Sequence, residues 1–266
     1  PNARAGMKAP LAMVGARLPD GTEIRRAQLR GVESAGMLCS SRELGLSDDA
    51  EGLMELPAEF PTGVSLVQAL GLDDTILEVN LTPNRGDCMG IAGIAREAAV
   101  LSGAALTGPI FRPVPAQSSE TFPVEITPGA GCSRFAARVI RGVRPDATTP
   151  IWMRERLRRA GLRPISPIVD VTNYVMLELG QPMHAYDLRE LDGAIVVRPA
   201  RVGETLRLLD GRDVTLDPSV LVIADRTKAI GLAGIMGGEH SGIRDDTTDV
   251  LIEVAFFGPD AIAGRG

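Results

Sequence analysis

Five apolar runs in the second half of the chain, IVVRPA, ETLRLLDGRDVTL, LVIAD, AIGLAGIMGG and VLIEVAFF, have the composition of strands and commit that half to a sheet. Asp210-Gly211 between apolar flanks predicts a hairpin. Ahead of these runs lie a strand at 135–143 and a helix that opens at Thr149-Pro150, with Thr149 as its cap and Ile151, Trp152 and Leu157 on its buried side. Helices followed by strands, without regular alternation, predict an α+β domain with a largely antiparallel sheet.

The first 80 residues read differently. Short strands and frequent turns predict a β-rich piece, part of an OB-like barrel. Arg25, Arg26 and Arg30 cluster there, either as a solvated strand face or as a strand facing nucleic acid. From Leu81 the TPNRGD turn leads into a helix capped by Asp87 and running to about Ser102, with Ile91, Ile94, Ala98 and Leu101 on one face. Gly108, Pro109, Pro113 and Pro115 then mark a linker. The expected organisation is therefore 1–80, a helical segment and linker at 81–118, and a second domain at 119–266 that continues past a helix beginning at Pro259.

Three segments carry candidate chemistry. DVTNYVMLELGQPMHAYD packs Thr172, Asn173, Gln181 and His184 into core-forming backbone, and a turn at 180–182 could fold hydroxyl, amide and imidazole onto one water. GLAGIMGGEHSG is dense in glycine, which allows either tight sheet packing or approach of a ligand to bare backbone. It has neither P-loop nor dinucleotide spacing, and Glu239-His240 does not form HExxH. Glu253 stands alone in VLIEVAFF, and a carboxylate there must either bind something specific or lie on a wet face with Leu251 and Ala255.

Composition narrows the partners. With 3% aromatics and a net charge of −6, neither base-stacking platforms nor a global field draws nucleic acid to the chain, so local patches must do so. Those patches are arginine, because Lys8 and Lys228 are the only lysines. Cys39, Cys88 and Cys132 are odd in number and far apart, which argues against a disulfide framework or a metal site and for a cytoplasmic location. No membrane span is expected.

The long motifs TPNRGDCMGIAGIAREAAVLSG, RPISPIVDVTNYVMLELGQPMHAYD and GLAGIMGGEHSGIRDDTTDVLIEVAFF resemble the β subunit of bacterial phenylalanyl-tRNA synthetase, over nearly the whole chain. The resemblance implies the later part of a tRNA-binding OB-type domain followed by an editing domain, which hydrolyses tyrosine wrongly esterified to tRNA(Phe). A phenylalanine pocket rejects a ligand that merely adds a hydroxyl by only about 100-fold, so a second pocket that requires the hydroxyl is physically useful. By resemblance, Glu253 accepts the tyrosine hydroxyl with help from Gly237, while His184, Thr172 and Asn173 handle water and the ester, and Arg163 lies near the tRNA end. The family pocket is completed by a Thr and an Ala beyond Gly266, and SPIV at 166–169 departs from the usual loop. The resemblance further implies an α2β2 heterotetramer with the synthetase α subunit, ATP and Mg2+ for the whole enzyme, and no cofactor or metal in this region. The alternative is a scaffold without chemistry that docks tRNA and the partner subunit.

Overall fold

A computed structural model describes residues 2–48 and 50–265. The chain divides into two compact units, Pro1–Ile76 and Leu77–Gly266.

The first unit contains β1 (Leu11–Met13), β2 (Ala27–Leu29), β3 (Val32–Ser34), β4 (Gly36–Leu38) and a single helical turn, α1 (Leu66–Ala69). β1 pairs with β4 and β2 with β3, in two separate antiparallel ladders. The expected OB-like barrel is not closed among the described residues. Strands of three residues turn at most two side chains to one side, and β2 and β3 are exposed except for the half-buried Ser34, so little apolar surface drives closure. Ala12, Leu18, Ile24 and Cys39 form the small core that does exist.

The second unit opens with α2 (Ile91–Ser102), as expected, and then an exposed irregular stretch through the Pro/Gly-rich segment. Asp87 does not cap this helix. It lies in a 3-10 turn and is held by Arg85, while Gly90 is the N-cap residue.

The chain continues through β5 (Val124–Ile126), β6 (Cys132–Ile140), α3 (Ile151–Arg159), α4 (Pro167–Leu179) and β7 (His184–Asp187). Next come β8 (Ile195–Pro199), β9 (Thr205–Arg207), β10 (Asp213–Thr215) and β11 (Leu221–Ala224). β12 (Ala229–Leu232), β13 (Met236–Gly237), β14 (Val250–Phe257) and α5 (Pro259–Ile262) complete it. β9 and β10 pair across the Asp210-Gly211 turn, as the sequence predicted.

Two sheets build the core of this unit. One has the order β13-β12-β11-β8-β5, antiparallel except for the parallel β5–β8 pair; the other is β6-β14-β7, antiparallel throughout. They share one apolar cluster in which Tyr186, Leu251 and Cys132 from the smaller sheet meet Ile195, Val197, Leu221, Ile223 and Ile230 from the larger. Full burial of each aliphatic side chain contributes about 1.5–3 kcal/mol, so this interface is a large contributor to the unit's stability and fixes the register of β14.

Two details of α3 differ from expectation. Thr149 donates its hydroxyl to the buried carboxylate of Asp170 instead of capping α3, tying the start of α3 to the first turn of α4. Asp170 also accepts the Ile165 amide at 2.8 Å. Trp152 is 50% exposed, and the buried side is Met153, Glu155 and Leu157. Arg158 and Arg159 explain the buried glutamate, since both pair with it across one turn, at 2.8 and 3.6 Å. α4 ends at Gly180 in the left-handed region, φ 73°, and a Cβ built on Gly90 would lie 2.5 Å from the Gly180 nitrogen, so the two glycines allow α2 and α4 to meet end on.

Candidate functional site

β14 is the middle strand of the smaller sheet, and its pleat decides where Glu253 points. Leu251, Glu253 and Ala255 alternate with Ile252 and Val254. The burial runs against the wet-face reading, because Leu251 is fully buried and Glu253 is 6% exposed, whereas Ile252 and Val254 are only half-buried. The carboxylate therefore faces the core between the sheets.

Its neighbours follow from the register. Glu253 is opposite His184 on β7 and opposite Ala137 on β6, while Tyr186 is opposite Leu251. Residues 184, 186, 251 and 253 share one face, and Tyr186 donates its hydroxyl to Glu253 Oε2. The rings of His184 and Tyr186 meet edge to face, with centroids 4.4 Å apart. Gly237, on the short strand β13, abuts the His184 ring so closely that a Cβ there would overlap it.

Electrostatics sets the state of this cluster. Burial pushes the Glu253 carboxyl up to about 7, opposed by the hydrogen bond from Tyr186. Burial pushes the His184 imidazole down to about 4, so the ring is neutral at pH 7. Its Nε2 is buried and has no hydrogen-bond partner. A buried polar atom left without a partner costs on the order of 1–3 kcal/mol, so this nitrogen has hydrogen-bonding capacity to spare for a water or a ligand.

The remaining expected residues are placed as follows. Thr172, on α4, is buried and donates its hydroxyl to the Val169 carbonyl at 2.8 Å, so toward water it can act only as an acceptor. Asn173, next on the same helix, is half-buried. No hydrogen bond joins either of them to His184 among the described residues. Arg163 is exposed in the loop before α4. In the first unit, Arg25 pairs with Glu23 and Arg26 with Glu33, each at 2.8 Å, and Arg30 takes the left-handed φ of 52° in the β2–β3 turn.

Glycine in the 231–242 segment serves sheet packing as well as the site. Gly231 is opposite Gly237 in the β12–β13 ladder, the Gly238 amide donates to the Ile230 carbonyl at 2.8 Å, and a Cβ on Gly238 would come within 2.9 Å of the Leu206 side chain. The amide of Gly238 is thus not free for a ligand. Gly237→Ala is expected to force the His184 ring from its seat, destabilising the protein by about 1–3 kcal/mol. A denaturant melt checks it; equal stability would mean the ring moves freely.

Sequence reasoning missed Tyr186 and the flanking aspartates. The signal for Tyr186 was its i+2 spacing from His184, which puts both on one face of a strand. Asp187, fully buried, is held by Arg189 at 2.8 Å and by the Thr247 hydroxyl at 2.8 Å, and those hydrogen bonds keep its carboxyl below the usual range despite burial. It anchors the end of β7.

Other features are less specific. A cavity of about 540 Å³, lined by Ser133, Arg134, Ala136, Gln181, Val254, Ala255 and Phe256, is not lined by Glu253, His184 or Gly237. Asp87, Cys88 and Glu97 bring three potential metal-ligating atoms within 4.8 Å of one another, but the Arg85 guanidinium already bridges both carboxylates and contacts the Cys88 sulfur at 3.0 Å. All three cysteines are free and buried. No helix among the described residues is long and apolar enough to cross a membrane.

Comparison with known proteins adds the following. A family model described as the B3/4 domain matches residues 131–266. The chain is 55% identical over 265 residues to the phenylalanine–tRNA ligase beta subunit of Dickeya dadantii, and 56% identical over 266 residues to that of Nitrosococcus oceani. Each match covers 100% of this chain and 33% of the relative, so the chain spans about a third of the length of the relatives it matches. Among solved structures, an N-terminal fragment of the phenylalanyl-tRNA synthetase beta-subunit from Pyrococcus horikoshii matches 67% of this chain and 55% of that one at 15% identity, with a TM-score of 0.39.

Proposed function

Since the chain belongs to the B3/4 domain family and aligns along its whole length with phenylalanine–tRNA ligase beta subunits, we propose that it forms part of such a subunit and carries a site that hydrolyses tyrosyl-tRNA(Phe). The observation that carries this reading is the pairing of two groups with unmet capacity on one face of the β6-β14-β7 sheet. Glu253 is a buried acceptor with one oxygen engaged by Tyr186, and His184 Nε2 is a buried polar atom with no partner.

In this reading a tyrosine side chain enters with its hydroxyl toward Glu253, and phenylalanine leaves the second carboxyl oxygen unpaired at a cost on the order of 1–3 kcal/mol. Water adds to the ester carbonyl, the bond to the ribose oxygen breaks, and tyrosine and the free tRNA terminus are released with the proton ending on the ribose oxygen. Neutral His184, with its conjugate acid disfavoured by burial, orients water or the ester instead of storing a proton. Thr172 as acceptor and Asn173 as donor and acceptor position the water, and Arg163 meets the phosphate near the tRNA end. The partners are tRNA(Phe) and a synthetase α subunit, in an α2β2 assembly. ATP and Mg2+ serve aminoacylation elsewhere in the whole enzyme, and no step here runs through them.

The test is deacylation by the full two-subunit enzyme. Tyrosyl-tRNA(Phe) is expected to be cleared and phenylalanyl-tRNA(Phe) spared. Salt-sensitive tRNA binding with no clearance of either ester would favour the docking scaffold instead.

A further inference from the structure

We propose that Tyr186 is the positioning residue of the hydroxyl acceptor: its phenol, fixed in the core, holds Glu253 Oε2 so that Oε1 is the oxygen presented to the substrate. This rests on the editing reading and identifies the group that sets its specificity.

Three observations support it. Among the described residues, the side-chain hydrogen bond to Glu253 comes from Tyr186 and falls on Oε2, not Oε1. Tyr186 is 2% exposed, packed against His184 on one side and within the cluster of Ile195, Val197 and Leu251, so its hydroxyl cannot swing aside to make room. A carboxylate accepts on both oxygens, so a resident phenol on Oε2 and a ligand phenol on Oε1 can coexist, whereas a glutamate without the resident phenol turns about its last torsion.

Tyr186 also governs charge. The titratable groups facing Glu253 are Tyr186 and His184 from β7 and the Cys132 thiol from β6, and none of them is a cation at neutral pH. Burial favours the protonated carboxyl, and the phenol is the group that opposes it. An ionised acceptor binds a hydroxyl more strongly than a neutral one.

The experiment is Tyr186→Phe in the full two-subunit enzyme, which keeps the ring and removes the hydroxyl. Near neutral pH, kcat/KM for tyrosyl-tRNA is expected to fall on the order of tenfold, mainly through KM, as for loss of a hydrogen bond to a charged group. The acid limb of the pH–rate profile is expected to move upward by about one pH unit. A purely structural role moves neither the midpoint nor the KM-to-kcat split, and an unchanged profile in an enzyme whose wild type is active would overturn the proposal. Tighter tyrosine recognition in the variant would overturn it too, because Tyr186 would then be a competitor for the acceptor. In a Glu253→Gln background Tyr186→Phe is expected to cost nothing further and to recover part of the lost kcat/KM, because the freed amide can turn its oxygen to the substrate; a further loss there would show that Tyr186 acts on something other than Glu253, and this comparison holds even if the single variant melts early. Absence of hydrolysis in the wild type would instead remove the editing reading itself.

Discussion

Glu253→Gln in the two-subunit enzyme is expected to lower kcat/KM for tyrosyl-tRNA(Phe) by roughly 10- to 100-fold, the range for losing a hydrogen bond to a charged acceptor. The amide retains one oxygen. Tyr186 donates to that oxygen in the native arrangement, which leaves the amide NH2 facing the substrate hydroxyl, a donor where an acceptor is needed. Phenylalanyl-tRNA, which never used the acceptor, is not expected to be cleared more slowly, so selectivity narrows toward unity. Unchanged rate and selectivity would eliminate the assigned role.

The same substitution has an opposite effect on stability. The folded-state value of Glu253, about 7, is above the ordinary 4.5, so the native protein holds a proton that the unfolded chain has lost between those pH values. Its contribution is therefore fully present below about pH 4.5 and is lost as pH rises through 7, a change on the order of 3 kcal/mol. Glutamine does not titrate. The variant is expected to be more stable than wild type at pH 8 and to differ little at pH 4.5, and urea melts at the two pH values check it. A carboxylate kept at this cost is consistent with a functional site in a fold that would be more stable without it.

His184→Asn is the second large effect. Loss of a pre-organised polar group at the ester is expected to slow clearance by roughly 100- to 1000-fold. Clearance at the wild-type rate with weakened tRNA binding would favour the scaffold reading. The stability signature is the mirror image of that of Glu253. The folded-state value of His184, about 4, is below the ordinary 6.5, so the unfolded chain binds the extra proton, and native stability is lost as pH falls from 6.5 to 4. In the wild type the two slopes oppose one another between about pH 4.5 and 6.5 and largely cancel. Glu253→Gln is expected to unmask a loss of stability on acidification, and His184→Asn a gain. Two variants with the same slope would show that the pair does not titrate independently.

Much of this was legible in the sequence. The five apolar runs became strands, Asp210-Gly211 became a turn, and the periodicity of 91–102 became a helix, because each depends on local preference and spacing. The errors lay where long-range partners outbid local ones. Thr149 had the chemistry of a cap, but the Asp170 carboxylate lay within reach and took its hydroxyl. Trp152, expected on the buried side of α3 with Ile151 and Leu157, is half exposed, while Glu155, satisfied by two arginines, is buried. The barrel expected at the start of the chain requires strands long enough to curl, and here they are three residues each.

The sequence alone determined that a lone carboxylate sits in an apolar strand, that an imidazole sits in a motif-rich segment, and that the chain resembles one family. It could not determine which side of β14 is dry, since a period of two fixes alternation and leaves the covered face open. Packing of the two sheets decided that. It turned Glu253 inward, set His184 directly opposite, brought Gly237 against the imidazole and placed the Tyr186 hydroxyl on the carboxylate from 67 residues away, contacts that exist only once register and sheet packing are both formed.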